Sequence, residues 1–259
     1  MAEIVKGILP SRSMRKEMSY NVLLPKSYGG TRRRFSVLYL LHGLFGSCDN
    51  WIELTDLQNY SDRFELVIVT PEGLDSWYVD SATDKRARFE RYILRDLIPR
   101  IDDIFRTRAI RKSRGIAGNS MGGYGALKLA LKRPDLFAFA ASTSGAFHAP
   151  MLSEANADER WAELMPSINQ AFGAPDSRVR RFNDVFQIAA RVGRKGHFPT
   201  IFMDCGKEDS FLEINRDLNE RFEQCGIEHT YKEFTGGHDW DYWARRTNEI
   251  LKRAAAVLN

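Results

Sequence analysis

Short apolar runs alternate with longer helical stretches along most of this chain, and that alternation restricts the fold more than any other feature. Phe35–Leu41 (FSVLYLL) and Phe64–Thr70 (FELVIVT) read as strands buried on both faces. Further strands are expected at Arg114–Gly118, Phe137–Ser142, Pro199–Cys205 and His229–Phe234. Between them, helices are expected at Asp49–Leu57, Ala87–Phe105, Met121–Leu131, Phe211–Cys225 and Trp240–Leu258. In the second of these, Phe89, Tyr92, Ile93, Leu97, Ile101 and Ile104 share one face, and Pro99 is expected to kink or divide the helix. Strands that alternate with helices require crossover connections. The expected fold is therefore α/β, with a mostly parallel central sheet and helices on both faces.

Two opening strands, Glu3–Leu9 and Met14–Leu24, have no helix between them and should form an antiparallel N-terminal edge. No repeat or linker divides the chain, and a length of 259 residues suits one domain, 1–259. The stretch from about 149 to 198 breaks the rhythm, with helical fragments and no strand. It is expected to be an insertion over the C-terminal end of the sheet and hence over the active site.

Charge narrows the function little. The net +4 arises from 38 basic and 34 acidic residues, too small an excess to indicate nucleic acid as a partner. The run Arg32-Arg33-Arg34 reads as a solvated loop. Three cysteines (Cys48, Cys205 and Cys225) offer no disulfide framework and favour a reducing compartment. Met1–Lys6 lacks the basic-then-apolar pattern of a secretory signal, and no apolar run is as long as a membrane span. A cytoplasmic protein is expected, without metal or organic cofactor, because no metal-ligand spacing occurs.

The chemistry is carried by Gly118-Asn119-Ser120-Met121-Gly122-Gly123. Gly-x-Ser-x-Gly alone is common, but here it follows an expected strand and opens an expected helix. A turn tight enough to lift the serine hydroxyl above a sheet leaves no room for side chains two positions away, so glycines stand there. The same turn puts the Met121 N–H at a helix N-terminus, where negative charge is stabilised.

A serine hydroxyl needs a base. Of the five histidines (His42, His148, His197, His229 and His238), His238 is favoured. It occupies Thr235-Gly236-Gly237-His238-Asp239-Trp240, a loop after the last strand that can reach back over the sheet. His229 lies within a strand pattern, His197 in the insertion, and His42 is expected to buttress its own loop. The orienting acid is expected one strand earlier, in Gly206-Lys207-Glu208-Asp209-Ser210, with Asp209 favoured over Asp204 and Glu208. Asp209 could also cap the following helix. Asp239 and Asp241 lie too near His238 in the chain. A second oxyanion donor is expected from His42-Gly43-Leu44-Phe45-Gly46, with the Leu44 amide favoured.

These pieces, with Leu40-Leu41-His42-Gly43, Asn50-Trp51, Asp75-Ser76-Trp77-Tyr78, Phe89-Glu90-Arg91-Tyr92 and Cys205-Gly206-Lys207-Glu208-Asp209, span nearly the whole chain. The chain resembles the esterase family of the α/β-hydrolase superfamily that holds esterase D, feruloyl esterases and tributyrin-type carboxylesterases, related to antigen 85-type mycolyltransferases. That resemblance implies an α/β-hydrolase fold and a serine carboxylesterase acting on small-molecule esters, of short-chain or aromatic, feruloyl-like acyl groups. It supports Ser120, Asp209 and His238 as the catalytic residues and Leu44 and Met121 as oxyanion donors. Trp51, Trp77 and Tyr78 are candidates for the substrate-binding wall, with Phe147, Trp161, Met165 and Phe172 available from the insertion. Acyl transfer to an alcohol is the rival enzymatic reading. A non-catalytic binding protein on the same fold is the rival of another class, and an intact set of catalytic residues argues against it.

Overall fold

The computed structural model describes residues 1–193 and 198–259. Eight strands, β1 (Glu3–Ser11), β2 (Lys16–Leu24), β3 (Val37–Leu41), β4 (Val67–Pro71), β5 (Arg114–Asn119), β6 (Phe139–Thr143), β7 (Thr200–Gly206) and β8 (His229–Phe234), form one sheet. Their order is β1-β2-β4-β3-β5-β6-β7-β8. β1 pairs antiparallel with β2, and β2 antiparallel with β4; every other pairing is parallel. The α/β-hydrolase fold with an antiparallel N-terminal edge is as expected. The chain runs outward from β3 to β4, then returns across β3 to β5. Strand order therefore reverses between β3 and β5, and ligands of open α/β sheets bind in the crevice outside such a reversal.

The apolar runs serve two cores at once. In β3, Val37, Tyr39 and Leu41 belong to one buried cluster, and Leu38 and Leu40 to the other. In and beside β4, Val67 and Val69 face the first cluster, and Leu66 and Ile68 the second. A strand whose successive side chains point to opposite faces must be apolar throughout when both faces are covered.

Helices close both faces. α1 (Asn50–Glu53), α2 (Leu57–Phe64), α3 (Phe89–Arg91), α4 (Ile98–Ile104) and α5 (Met121–Lys132) precede β6. α6 (Met165–Phe172), α7 (Arg178–Asn183) and α8 (Val185–Val192) lie between β6 and β7, followed by α9 (Leu212–Cys225) and α10 (Trp240–Leu258). α5 and α9 pack on the first face through Tyr124, Leu127, Leu218 and Phe222. α10 covers the second through Trp243, Ile250, Leu251 and Leu258, beside Trp51 and Leu57.

Boundaries differ from the sequence expectation most clearly between residues 49 and 71. The Asp49–Leu57 helix is two short helices, α1 and α2, and α2 takes Phe64 from the expected strand. Glu65, with φ +53°, ends α2 before β4 begins. The Ala87–Phe105 helix is divided as expected. α3 passes into a π-helical turn, Tyr92–Leu97, and Pro99 then sits in the first turn of α4, where no N–H is needed.

Candidate active site

β5 is buried along its length and delivers Ser120 to the crevice beside β3. Ser120 has φ +51° and ψ −118°, a conformation that L residues avoid, and Met121 begins α5 at once. The flanking glycines permit this. A Cβ on Gly118 would lie 2.5 Å from the Gly122 carbonyl carbon, and one on Gly122 only 2.3 Å from the Leu41 oxygen. The turn is fixed from outside by the Ser120 N–H, which donates to the Thr143 carbonyl of β6 at 3.0 Å.

The two partner loops leave β7 and β8 and are stitched together. Lys207 N–H donates to the Phe234 carbonyl at 2.7 Å, Glu208 N–H to Gly236 at 3.1 Å, and Gly236 N–H returns to Glu208 Oε2 at 2.5 Å. That crosslink places Asp209 and His238 side by side although 29 residues separate them. His238 Nδ1 lies 3.0 Å from both Asp209 oxygens, and its Nε2 lies 2.9 Å from Ser120 Oγ. An ionised carboxylate only accepts, so Nδ1 carries the ring proton and Nε2 is free to accept from the serine hydroxyl. Burial alone would raise the Asp209 pKa. The His238 hydrogen bond and charge, the Ser144 hydroxyl and the Phe211 amide outweigh it and hold Asp209 below the usual carboxylate range. Asp209 does not cap α9, whose N-cap is Phe211 with no side-chain cap hydrogen bond; its Oδ1 accepts from Phe211 N–H, at 2.7 Å, just ahead of the helix. The imidazole is gripped edge-on by Phe211, at a centroid distance of 4.6 Å, and by Trp243, at 5.0 Å.

The neighbouring acids have other partners. Asp204, fully buried in β7, accepts from Thr143, Tyr242 and Arg246. Asp239 caps α10 by accepting from Tyr242 N–H. His229 bonds Ile227 and Asn219, and His148 pairs with Asp217. His197 lies outside the described residues.

Opposite the imidazole, the loop after β3 turns back on itself, with Gly46 N–H donating to the Gly43 carbonyl. Phe45, at φ +61°, donates its N–H to Asp75 Oδ1 at 2.8 Å. Neither the Leu44 N–H nor the Met121 N–H has an acceptor among the described residues. The Met121 amide opens a helix, so it lacks one for geometric reasons. His42 is the buttress. Its Nδ1 lies 2.7 Å from the Gly43 carbonyl, and Nε2 accepts from Gly73 N–H at 2.8 Å.

Ser120 and His238 open into a cleft of about 490 Å³ lined by the Gly43–Gly46 loop, Asn50, Trp77, Asn119, Arg160, Leu164, Phe211, Trp240 and Trp243. A second cleft, of about 550 Å³ and bordered by Leu74, Asp75 and Ser76, contains no serine–histidine pair. Of the expected wall residues, only Trp77 is in the cleft lining, although it too is fully buried and part of the core. Trp51 is fully buried and donates its indole N–H to the Leu41 carbonyl at 3.0 Å, packing edge-on against Trp240. Tyr78 is fully buried and donates its hydroxyl to the His42 carbonyl. Phe147, Trp161, Met165 and Phe172 are likewise core residues. The segment contributes Arg160 and Leu164 to the cleft instead. Phe211, Trp240 and Trp243 also line the cleft, and no motif in the sequence marks them. Their signal was adjacency: each stands within a few residues of Asp209 or His238.

Among the described residues no helix is long and apolar enough to cross a membrane, and no group of three or more His, Cys, Asp or Glu is placed to hold a metal ion. All the cysteines are free.

A family model described as "Putative esterase" matches residues 11–254, from β1 to the last turns of α10. This chain belongs to that esterase family. Membership makes it a carboxylic ester hydrolase. It is 31% identical to an acetyl esterase of Caldicellulosiruptor saccharolyticus over 208 residues, covering 80% of this chain and 78% of that one. It is 33% identical to the esterase Rv1288 of Mycobacterium tuberculosis, over 84% of this chain but about half (52%) of the longer relative. The esterase's fold matches that of FphF, a fluorophosphonate-binding serine hydrolase of Staphylococcus aureus, with a TM-score of 0.87 over 98% of both chains at 23% identity.

Proposed function

We propose that this chain hydrolyses small-molecule carboxylic esters through an acyl-enzyme formed on Ser120. The observation that carries the reading is the unbroken hydrogen-bonded sequence from Ser120 Oγ through His238 to Asp209, at 2.9 and 3.0 Å. His238 Nε2 takes the hydroxyl proton as Ser120 attacks the ester carbonyl. The tetrahedral oxyanion forms against the Leu44 and Met121 amides, which have no other acceptor among the described residues; one such donor is worth about 10²–10³-fold in kcat. His238 then protonates the departing alcohol, and water repeats the sequence on the acyl-enzyme. Asp209 holds the tautomer and stabilises the imidazolium.

The aromatic wall of Trp77, Phe211, Trp240 and Trp243 supports acyl groups that are short or flat, acetyl-like or feruloyl-like. Arg160 and Leu164 at the cleft support reading 149–198 as an insertion over the site of a single domain, and the free cysteines support a reducing compartment.

Hydrolysis of p-nitrophenyl esters from acetate to decanoate, with methyl ferulate, tests the proposal in wild type and Ser120→Ala. Wild type should turn over the shorter or the aromatic members, and the variant should lose about 10⁴-fold or more. Equal rates in the two proteins would refute the assignment. Product analysis with an added alcohol separates hydrolysis from acyl transfer.

A further inference from the structure

Lys128 is fully buried, on the same helix that begins after Ser120. A buried ammonium is unfavourable unless it is paired and hydrogen-bonded. Its Nζ lies 3.1 Å from Glu90 Oε2 and also donates to the Tyr78 carbonyl. Glu90 already has a second cation, Lys132, at 2.6 Å. What Lys128 alone supplies is the grip on Tyr78.

Tyr78 and Trp77 are consecutive residues in left-handed backbone, with φ +51° and +55°. Bulky residues persist there only where the surroundings over-determine them. The tethers are specific. Trp77 N–H donates to Met121 Sδ at 3.2 Å, and its indole N–H to Ser167 Oγ at 3.0 Å. The Tyr78 hydroxyl donates to the His42 carbonyl at 3.0 Å, at the root of the Gly43–Leu44 loop. Its ring packs so closely on α5 that a Cβ on Gly125 would lie 2.6 Å from Tyr78 Cδ2. Gly125 and Lys128 are one helical turn apart, so α5 holds Tyr78 by ring and by carbonyl.

We infer that Lys128 is a positioning residue for the reaction: through Tyr78 it fixes both the Trp77 wall and the oxyanion loop relative to Ser120. The inference rests on the ester-hydrolase reading of Ser120. The ammonium touches no substrate. It locks a strained two-residue segment whose other ends are the cleft wall and the His42 carbonyl.

The test is Lys128→Met, which keeps the side-chain length and removes the donor. Removing one partner of a buried ion pair is destabilising, so the variant should melt below wild type, and its kcat is measured at a temperature where it is folded. On p-nitrophenyl acetate, kcat should fall about 10–100-fold while KM stays within about twofold, the signature of lost transition-state contacts. Lys132→Met removes the other lysine of Glu90 but no tether to Tyr78, and should retain wild-type kcat. The inference is overturned if Lys128→Met keeps wild-type kcat, or if Lys132→Met loses as much.

Should Lys128→Met not fold, Tyr78→Phe decides. It removes only the bond to His42 and should lower kcat about fivefold at unchanged KM. An unchanged kcat would overturn the inference. A wild-type protein that turned over no ester would sink the ester-hydrolase reading and this inference with it. Wild-type turnover with unaffected variants would sink the inference alone.

Discussion

On the β7–β8 side of Ser120, the acid and imidazole sit in loops that follow their strands directly and are stitched by backbone hydrogen bonds between residues 207–208 and 234–236. On the β3–β4 side, the proposed wall and oxyanion loop are held by left-handed residues, Phe45, Leu74, Trp77 and Tyr78, none of them glycine. The first side is short-range and modular. Its geometry follows from where two strands end. The second depends on buried tethers from distant elements, among them α5 and the Glu90 cluster. On the proposed mechanism, the proton-transfer groups are thus set by topology and the Leu44 side of the oxyanion site by packing.

The largest expected effects break the first side. His238→Ala removes the base and should lower kcat by about 10⁴–10⁶-fold. Asp209→Asn leaves the packing intact but favours the wrong imidazole tautomer, and should cost about 10⁴-fold. Steady-state kinetics on one p-nitrophenyl ester measures both. If Asp209→Asn were nearly as active as wild type, the orienting role would pass to another acid and the stitched loops would lose their meaning.

A smaller effect probes the second side through stability. Burial alone would raise the Glu90 pKa, but the Lys128 and Lys132 charges and hydrogen bonds hold it at about 2, against an ordinary value of 4.5. A depressed folded pKa stabilises the protein above the unfolded value, and the contribution is lost as pH falls through the folded one. Wild type should therefore exceed Glu90→Gln by on the order of 3 kcal/mol above pH 4.5, with the gap closing toward pH 2. Urea unfolding at several pH values reads this directly. A gap independent of pH would show that the carboxylate's charge is not what holds this side.

The smallest effect separates two tryptophans that look alike in the sequence. Trp51→Phe leaves the buried Leu41 carbonyl without its donor and should cost about 1–3 kcal/mol of stability with no change in KM. A raised KM would return Trp51 to the substrate wall.

The same division explains what was legible in the sequence. Gly118 and Gly122 announce a turn that only glycine permits, and the loops after β7 and β8 follow from the strand pattern. Ser120, Asp209 and His238 could thus be placed together without coordinates. The mostly parallel sheet followed from the same pattern, down to the antiparallel edge, whereas the order of its strands did not. Trp77 and Tyr78 carry no such mark. A left-handed tryptophan is produced by its surroundings, and the residue type alone cannot tell it from Trp51, which packs beneath Trp240. Lys128 was equally hidden, because a lysine in a helix normally reads as a solvated position. Its burial depends on Glu90, in a distant helix. The 149–198 stretch was recognisable as a break in the rhythm. Which of its side chains reach the cleft depends on tertiary contacts, such as Arg160 donating to the Ser210 carbonyl.

The central claim is that Ser120 is a nucleophile activated by His238, and covalent labelling tests it most directly. Wild type, Ser120→Ala and His238→Ala are incubated with an alkyl fluorophosphonate, and the proteolysed proteins are mapped by mass spectrometry. One adduct is expected, on the peptide that carries Ser120, formed rapidly in wild type, at least about 100-fold more slowly in His238→Ala, and absent from Ser120→Ala. Labelling of another residue, or equal labelling of Ser120→Ala, would contradict the claim.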